Sequence, residues 1–395
     1  MLALDNIRVV DFSRILAGPF CSMMLADLGA EVIKIERPQK GDDSRAYGPF
    51  VNDESLYFMS VNRGKKSIEL NLKNEKAHEF LLKLIDTADV VVENFKPGVM
   101  DHLGLSYEIL SKRNPRLIYC SCSGYGHTGP YQHKPAYDLI IQGLTGMMSI
   151  TGPDAEHPYK VGMSVADVDT GVFAAVGVLA ALYQRERTGV GQYVDIAMFD
   201  VLMAILENAA TRCLYTGVSP TAIGNHHATI CPFATIRASD GFFNIAAGND
   251  TLFVRLAEAL EAPEMATDPR FLTNDSRLQH WPELEKCLND AASKKTIAEW
   301  CEILDKAEIP AGPLNNMAQA LKHPQVAARG IVTTIPHPVA GDIQCIASPV
   351  RLSQSPRESY EHSPVLGADT ATYVAEILRC SMEEAQKIVQ DGDLL

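Results

Sequence analysis

The chain has 395 residues, 46% of them hydrophobic and 21% charged, an ordinary globular composition that excludes disordered and fibrous classes. That length predicts two or three domains around a sizeable core. Lys plus Arg number 35 against 49 Asp plus Glu, and a formal charge of −14 argues against an extended basic surface for nucleic acid.

In chain order, Ile7-Arg8-Val9-Val10-Asp11-Phe12 reads as a buried strand, and Ala17-Gly18-Pro19 leads into a helix over 20–28. A second strand covers 31–36 and stops at Pro38. A helix over 75–87 runs into a strand at 88–93, and another strand follows at 116–121. Strands alternating with helices at this spacing predict an α/β fold with a doubly wound, Rossmann-like parallel sheet. The apolar stretch 171–183, rich in Gly and Ala, predicts a buried, closely packed helix. One more strand is expected at 191–198, before an Asp200-led helix to about Thr211. Turn formers and His dominate 217–231, which reads as a linker. A smaller α/β unit is expected over 232–325, with a strand at 241–246 and helices near 251–260, 281–292 and 296–306. Short strands and polar turns fill 326–360, and a helix over about 369–389 closes the chain.

No apolar run is expected to reach the roughly 18 residues that a membrane span needs. Residues 1–13 carry Asp5 and Asp11 where a signal peptide would have a basic start, so a soluble cytoplasmic protein is expected. Nine cysteines are an odd, scattered set, and Cys120-x-Cys122 lacks a second ligand cluster. Buried thiols and no metal site are the expectation.

Ligands of doubly wound sheets bind beyond the carboxyl ends of the strands, which directs attention to the following loops. Arg14-Ile15-Leu16-Ala17-Gly18-Pro19 allows close approach to backbone N–H groups at a helix start, yet G-x-G-x-x-G is absent and a dinucleotide site loses its main support. Glu36-Arg37-Pro38, Asn62-Arg63-Gly64-Lys65-Lys66 with Leu70-Asn71-Leu72-Lys73, and Asn94-Phe95-Lys96-Pro97-Gly98 cluster cations in an acidic chain. Each reads either as a solvated charge run or as part of a polyphosphate site. The glycine-rich loop from Ser121 to Pro130, with His127, and the pair Tyr137-Asp138 read as pocket lining or as plain surface loop. Asp167 and Asp169 stand at the start of the apolar helix: one fits an N-cap, and the other is free to act as nucleophile or base.

Read together, Asp11-Phe12-Ser13-Arg14-Ile15-Leu16-Ala17-Gly18-Pro19, Leu28-Gly29-Ala30-Glu31-Val32-Ile33-Lys34-Ile35-Glu36, Asn62-Arg63-Gly64-Lys65, Glu93-Asn94-Phe95-Lys96-Pro97-Gly98, Ser123-Gly124-Tyr125-Gly126-His127-Thr128-Gly129-Pro130 and Ala166-Asp167 resemble the class III CoA-transferases over the whole chain. This is the family of formyl-CoA:oxalate, acetyl-CoA:oxalate and carnitine CoA-transferases. The resemblance implies Asp167 as the catalytic acid, leaving Asp169 a capping or structural residue. It implies a CoA cradle of Leu16, Ala17, Arg37, Leu70, Asn71, Leu72, Lys73, Asn94, Phe95, Lys96, His102, Ala136, Tyr137 and Asp138. Asn225 and His227 are implied at the acyl site. CoA and acyl-CoA would be substrates, with no permanently bound cofactor and no metal.

The same resemblance implies an interlocked homodimer whose partners otherwise are small carboxylic acids and acyl-CoA, with no nucleic acid and no membrane. A large CoA-binding domain would occupy 1–216, linkers 217–231 and 326–360, the small domain 232–325, and 361–395 would return to the large domain. Oxalate or another short dicarboxylate such as succinate is the first choice of acceptor. Two departures stand out: relatives often carry Arg and Pro where this chain has His226 and Ala228, and the run of glycines that shields the intermediate in formyl-CoA transferases is missing. Two other readings are an α-methylacyl-CoA racemase and a non-catalytic CoA-binding protein. Tyr137 stands where the racemases have a histidine, and tyrosine with its pKa near 10 is a poor base at neutral pH.

Overall fold

The computed structural model describes residues 1–395. Its contacts divide the chain into two units: Met1–Met147 with Val161–Thr216 and Ala327–Leu395, and Met148–Lys160 with Gly217–Val326.

The first, larger unit is built on six parallel strands: β1 (Arg8–Asp11), β2 (Glu31–Glu36), β3 (Lys65–Glu69), β4 (Val90–Glu93), β5 (Ile118–Ser123) and β6 (Tyr193–Ala197). Their order is β3-β2-β1-β4-β5-β6, the doubly wound arrangement. The order reverses between β1 and β4, so the loops after these two strands diverge and open a crevice. The valines at 90–92 are all buried, as expected for strands covered on both faces. Helices α1 (Ala17–Asp27), α2 (Leu56–Asn62), α3 (Glu75–Asp86), α4 (Val99–His102), α5 (Tyr107–Arg113), α6 (Asp138–Leu144) and α7 (Val165–Thr188) lie between the strands in sequence. One sheet face packs Val9, Val32 and Val90 against Leu25 of α1 and Ala174 and Val178 of α7. The other packs Val10, Ile33 and Ile68 against Phe80 and Leu84 of α3.

Three expectations are corrected here. Residues 65–66 are not loop: β3 was hidden because its polar side chains find partners inside, Lys65 on Asp11 at 3.1 Å and Ser67 on Glu36 at 2.7 Å. The apolar helix runs from Val165 to Thr188 and does reach the length and hydropathy of a membrane span, with a mean hydropathy of 1.8 over 18 residues. Half of that window is buried, largely by small side chains packed on the sheet and α1. The helix expected from Asp200 divides into α8 (Met198–Ile205) and α9 (Glu207–Thr216), because Glu207 takes a φ of 33°.

The second unit holds a three-stranded antiparallel sheet of β7 (Phe233–Ala238), β8 (Gly241–Ala246) and β9 (Ala311–Pro313), in the order β9-β8-β7. Helices α10 (Asp250–Ala259), α11 (Asn274–Gln279), α12 (Trp281–Ala292) and α13 (Ile297–Lys306) enclose a core around Phe243, Phe253 and Trp300. Residues 217–231 form no helix or strand, and Met148–Lys160, placed by sequence inside the large domain, clusters with this unit.

From Ala327 the chain belongs to the larger unit again. Within 326–360 it forms an antiparallel hairpin, β10 (Val332–His337) and β11 (Gly341–Ile346). The single closing helix is corrected to two: Arg379 turns left-handed at φ 55°, and Ser381 opens a new capping box with Glu384. Tyr373 and Val374 then cover the α3 side of the sheet.

Candidate active site

At the crevice between β1 and β4, Leu16 caps α1 with backbone alone and Ala17 is buried in its first turn. Asn94, expected to touch a ligand, is engaged elsewhere: its Oδ1 accepts from Arg14 N and its Nδ2 donates to Arg14 O, both at 2.8 Å. It clasps the loop after β1 to the loop after β4.

Beside this clasp lies a cavity of about 610 Å³ lined by Arg37, Leu70, Asn71, Leu72, Lys73 and Phe95, six residues of the expected cradle. Arg14 and Lys40 join them. The apolar wall of Leu70, Leu72 and Phe95 with cations at the rim suits a flat ring carrying phosphates. Arg37 donates to Gly41 O at 3.1 Å and pairs with Asp43, which also takes Arg14 at 2.9 Å. Two of the clustered cations drop out of a phosphate role. Arg63 is buried on Asp27, and Lys65 is buried on Asp11 with its pKa lowered to about 8, chiefly by burial.

Lys96 and His102 stand apart from that cavity. Lys96 borders a separate one of about 450 Å³ with Glu93, Tyr119, His127 and Tyr193. Here burial pushes Glu93 up to about 7, and Ser121 Oγ lies 2.7 Å from His127 Nε2. His102 is exposed, with Nδ1 against Gly98 O. Asn225 and His227 belong to the other unit. Asn225 lines a cavity of about 500 Å³ with Thr235 and Asn244, while His227 N donates to Phe233 O and its Nδ1 accepts from Thr229 N at 3.1 Å. His226 stacks on Trp281 with ring centroids 5.0 Å apart, and burial lowers its pKa, which disfavours the charged form.

Asp167 occupies the first turn of α7, and both acids of the pair lie inside the helix. Of the two roles expected of Asp169, capping is therefore corrected. The cap comes from α6 instead: Asp138 Oδ1 accepts from Ala166 N at 2.8 Å. Its Oδ2 accepts from Gln142 Nε2 at 2.7 Å, and Gln142 Oε1 accepts from Val161 N at 2.8 Å. Asp138 and Gln142 thus tie down both ends of the turn before Asp167. Their i, i+4 spacing on one helix face was visible in the sequence, although Gln142 drew no notice there. Gly124 admits the incoming Ala136, whose Cβ would lie 2.2 Å from any side chain at 124, while Tyr137 projects outward, 70% exposed.

Burial pushes the Asp167 carboxyl up to about 7, and the nearby Asp138 charge adds to the rise. Asp169 is raised by burial too. Tyr57 faces the same region, its hydroxyl held up by burial and by the charge of Asp167. Four residues along α7, Gly171 touches α1: a Cβ there would stand 2.7 Å from Ala17 O. Asp167 therefore lies one helical turn, a rise of about 6 Å, along α7 from the residue that meets Ala17 at the start of α1. A poorly hydrated carboxylate without a cationic partner is suited to nucleophilic attack or proton acceptance. No group of His, Cys, Asp and Glu is arranged to hold a metal ion, and all nine cysteines are free, four buried and five partly exposed.

The model of CoA-transferase family III matches residues 4–370. An acetyl-CoA:oxalate CoA-transferase of Acetobacter aceti is 47% identical over 350 residues, which cover 88% of this chain and 89% of the relative. A succinyl-CoA:glutarate CoA-transferase of Mus musculus is 38% identical over 393 residues, covering 99% and 90%. Among solved structures, a CAIB/BAIF family protein from Brucella suis superposes with a TM-score of 0.85 at 40% identity, covering 95% of this chain and 99% of that one.

Proposed function

Since the chain belongs to CoA-transferase family III, we propose that it moves CoA from a short acyl-CoA, acetyl-, formyl- or succinyl-CoA, to oxalate or another short dicarboxylate through covalent intermediates on Asp167. The observation that carries this reading is the Asp167 carboxyl, largely desolvated and without a cation, one turn from the Ala17 contact. Its carboxylate attacks the thioester carbonyl, the C–S bond breaks, and a mixed anhydride and CoA thiolate result. Thiolate then attacks the aspartyl carbonyl, giving an aspartyl-CoA thioester and the free donor acid. The acceptor carboxylate repeats the first step on that thioester, and the returning thiolate takes the acceptor acyl group, restoring Asp167. No proton is gained or lost over the cycle.

Arg37, Lys73 and the apolar wall of the 610 Å³ cavity hold the nucleotide end of CoA in this reading. An oxalate acceptor has its support in the similarity to the Acetobacter aceti enzyme. A homodimer has its support in apolar side chains left at the surface, among them Tyr183 at 68% and Leu214 and Tyr215 at 83% and 88% exposed. Mixing the protein with acetyl-, formyl- and succinyl-CoA against a panel of acids, and following CoA esters by mass, tests the reading. Exchange with oxalate or a short dicarboxylate is expected; no exchange with any pair overturns it. Deuterium uptake at the α-carbon of a 2-methylacyl-CoA would point to the racemase instead.

A further inference from the structure

The loop after β1 is anchored almost entirely by side chains from elsewhere. Ser13 N donates to Asp11 Oδ1 at 2.9 Å, and Ser13 O accepts from Lys34 Nζ at 2.7 Å. Arg14 N and O are both held by Asn94. Ile15 N donates to Asp42 Oδ1 at 3.0 Å, and Asp42 is itself paired with Lys34 at 2.9 Å. Five successive backbone polar groups are thus fixed by four side chains. Lys34 and Asp42 are fully buried, and a buried ion pair of this kind is weak as a stabilising device compared with apolar packing. It is well suited to fixing one geometry.

What is fixed is an unfavourable turn. Ile15 has a φ of 67°, a left-handed conformation in which a β-branched side chain is a genuine outlier. Such a residue persists only where its surroundings over-determine it, and such outliers gather where geometry matters for function. Directly after Ile15 the chain enters α1 through Leu16 and Ala17, and Ala17 O is the atom that Gly171 of α7 approaches. The turn therefore sets the start of α1 relative to the helix that carries Asp167.

We propose that Lys34, Asp42 and Asn94 are positioning residues that hold the 13–16 loop in its strained turn at Ile15 and so align the start of α1 with Asp167 for attack on the thioester. This rests on the transferase reading above. None of the three touches the reacting atoms. Their action is to restrict the loop to the one conformation in which substrate and carboxylate meet.

The test is a comparison of Asn94→Ala and Asp42→Asn with wild type in kcat for CoA transfer and in Kd for CoA by calorimetry. Misplacement of the loop lowers kcat by at least about tenfold. CoA binding weakens by a smaller factor than kcat falls, because Arg37, Leu70, Leu72 and Lys73 are untouched while only Ser13 and Arg14 of the loop line the cavity. Asp42→Asn breaks a buried pair and is prone to misfold, so Asn94→Ala, on a half-buried residue, carries the comparison alone if needed. A Kd that weakens in parallel with unchanged kcat makes Asn94 a direct ligand and overturns the proposal, as does unchanged kcat.

A second variant tests the role of strain. Glycine accepts φ 67° freely, so Ile15→Gly in the Asn94→Ala background should recover at least about fivefold of the lost kcat. No recovery contradicts the proposal. Should wild-type protein transfer CoA to no acid, the transferase reading falls by itself. Crystal structures then decide this inference: an Ile15 that leaves positive φ in Asn94→Ala supports the brace, and an unchanged turn refutes it.

Discussion

A carboxylate attacks a thioester only when ionised, and burial makes that form harder to reach at Asp167. With its pKa near 7 in the free protein, kcat/KM for transfer should fall about tenfold per pH unit below 7 and level off above it, as a pH–rate profile will show. Asp167→Asn should abolish transfer, whereas Asp169→Asn should keep much of it; the reverse order would identify the other acid as the nucleophile. Stability moves the opposite way. A carboxyl whose folded pKa is raised favours the fold while protonated, below about 4, and that contribution is lost as pH rises through 7. Asp167→Asn should therefore stabilise the protein at pH 8 by about 1–3 kcal/mol, after discounting for partial solvent screening, with the gain vanishing toward pH 4. Thermal denaturation at the two pH values measures it.

At the scale of elements, the contact between α1 and α7 has no room to spare. Gly171→Ala would place a methyl 2.7 Å from Ala17 O and 2.9 Å from Phe20 Cβ. Pushing the helices apart should destabilise the fold by about 1–3 kcal/mol and lower kcat through displacement of Asp167, checked by denaturant melts and turnover. Sequence reading found both helices and most of the strands because their apolar patterns are local. Strand β3 escaped it, since the evidence for burial of Lys65 lies 54 residues away in Asp11. The first turn of α7 escaped it for a similar reason: its cap, Asp138, comes from another helix. Asp167 was singled out by the Ala166-Asp167 pair and its place before the apolar helix. The left-handed turn at Ile15 was not, because nothing in an Ile side chain signals it.

Across the whole molecule, the reversal of strand order between β1 and β4 explains why residues scattered from Arg37 to Phe95, six of those expected to cradle CoA, share one cavity. The −14 charge describes the remainder of the surface rather than this rim. If the exposed apolar side chains mark a homodimer, light scattering should give a mass near twice 43.2 kDa, with no monomer at micromolar concentration. The two-unit division also bears on synthesis. On the face of the sheet that carries Ile33, where Phe80 and Leu84 of α3 pack, Tyr373 and Val374 complete the core, and Tyr373 Oη donates to Glu31 Oε1 at 2.7 Å across 342 residues. On the ribosome, strands made first must wait for a segment made near the end, while the core around Trp300 is already complete. The nascent chain therefore carries an incompletely covered apolar core on the α3 side through most of its elongation, and that interval is when it most needs a chaperone.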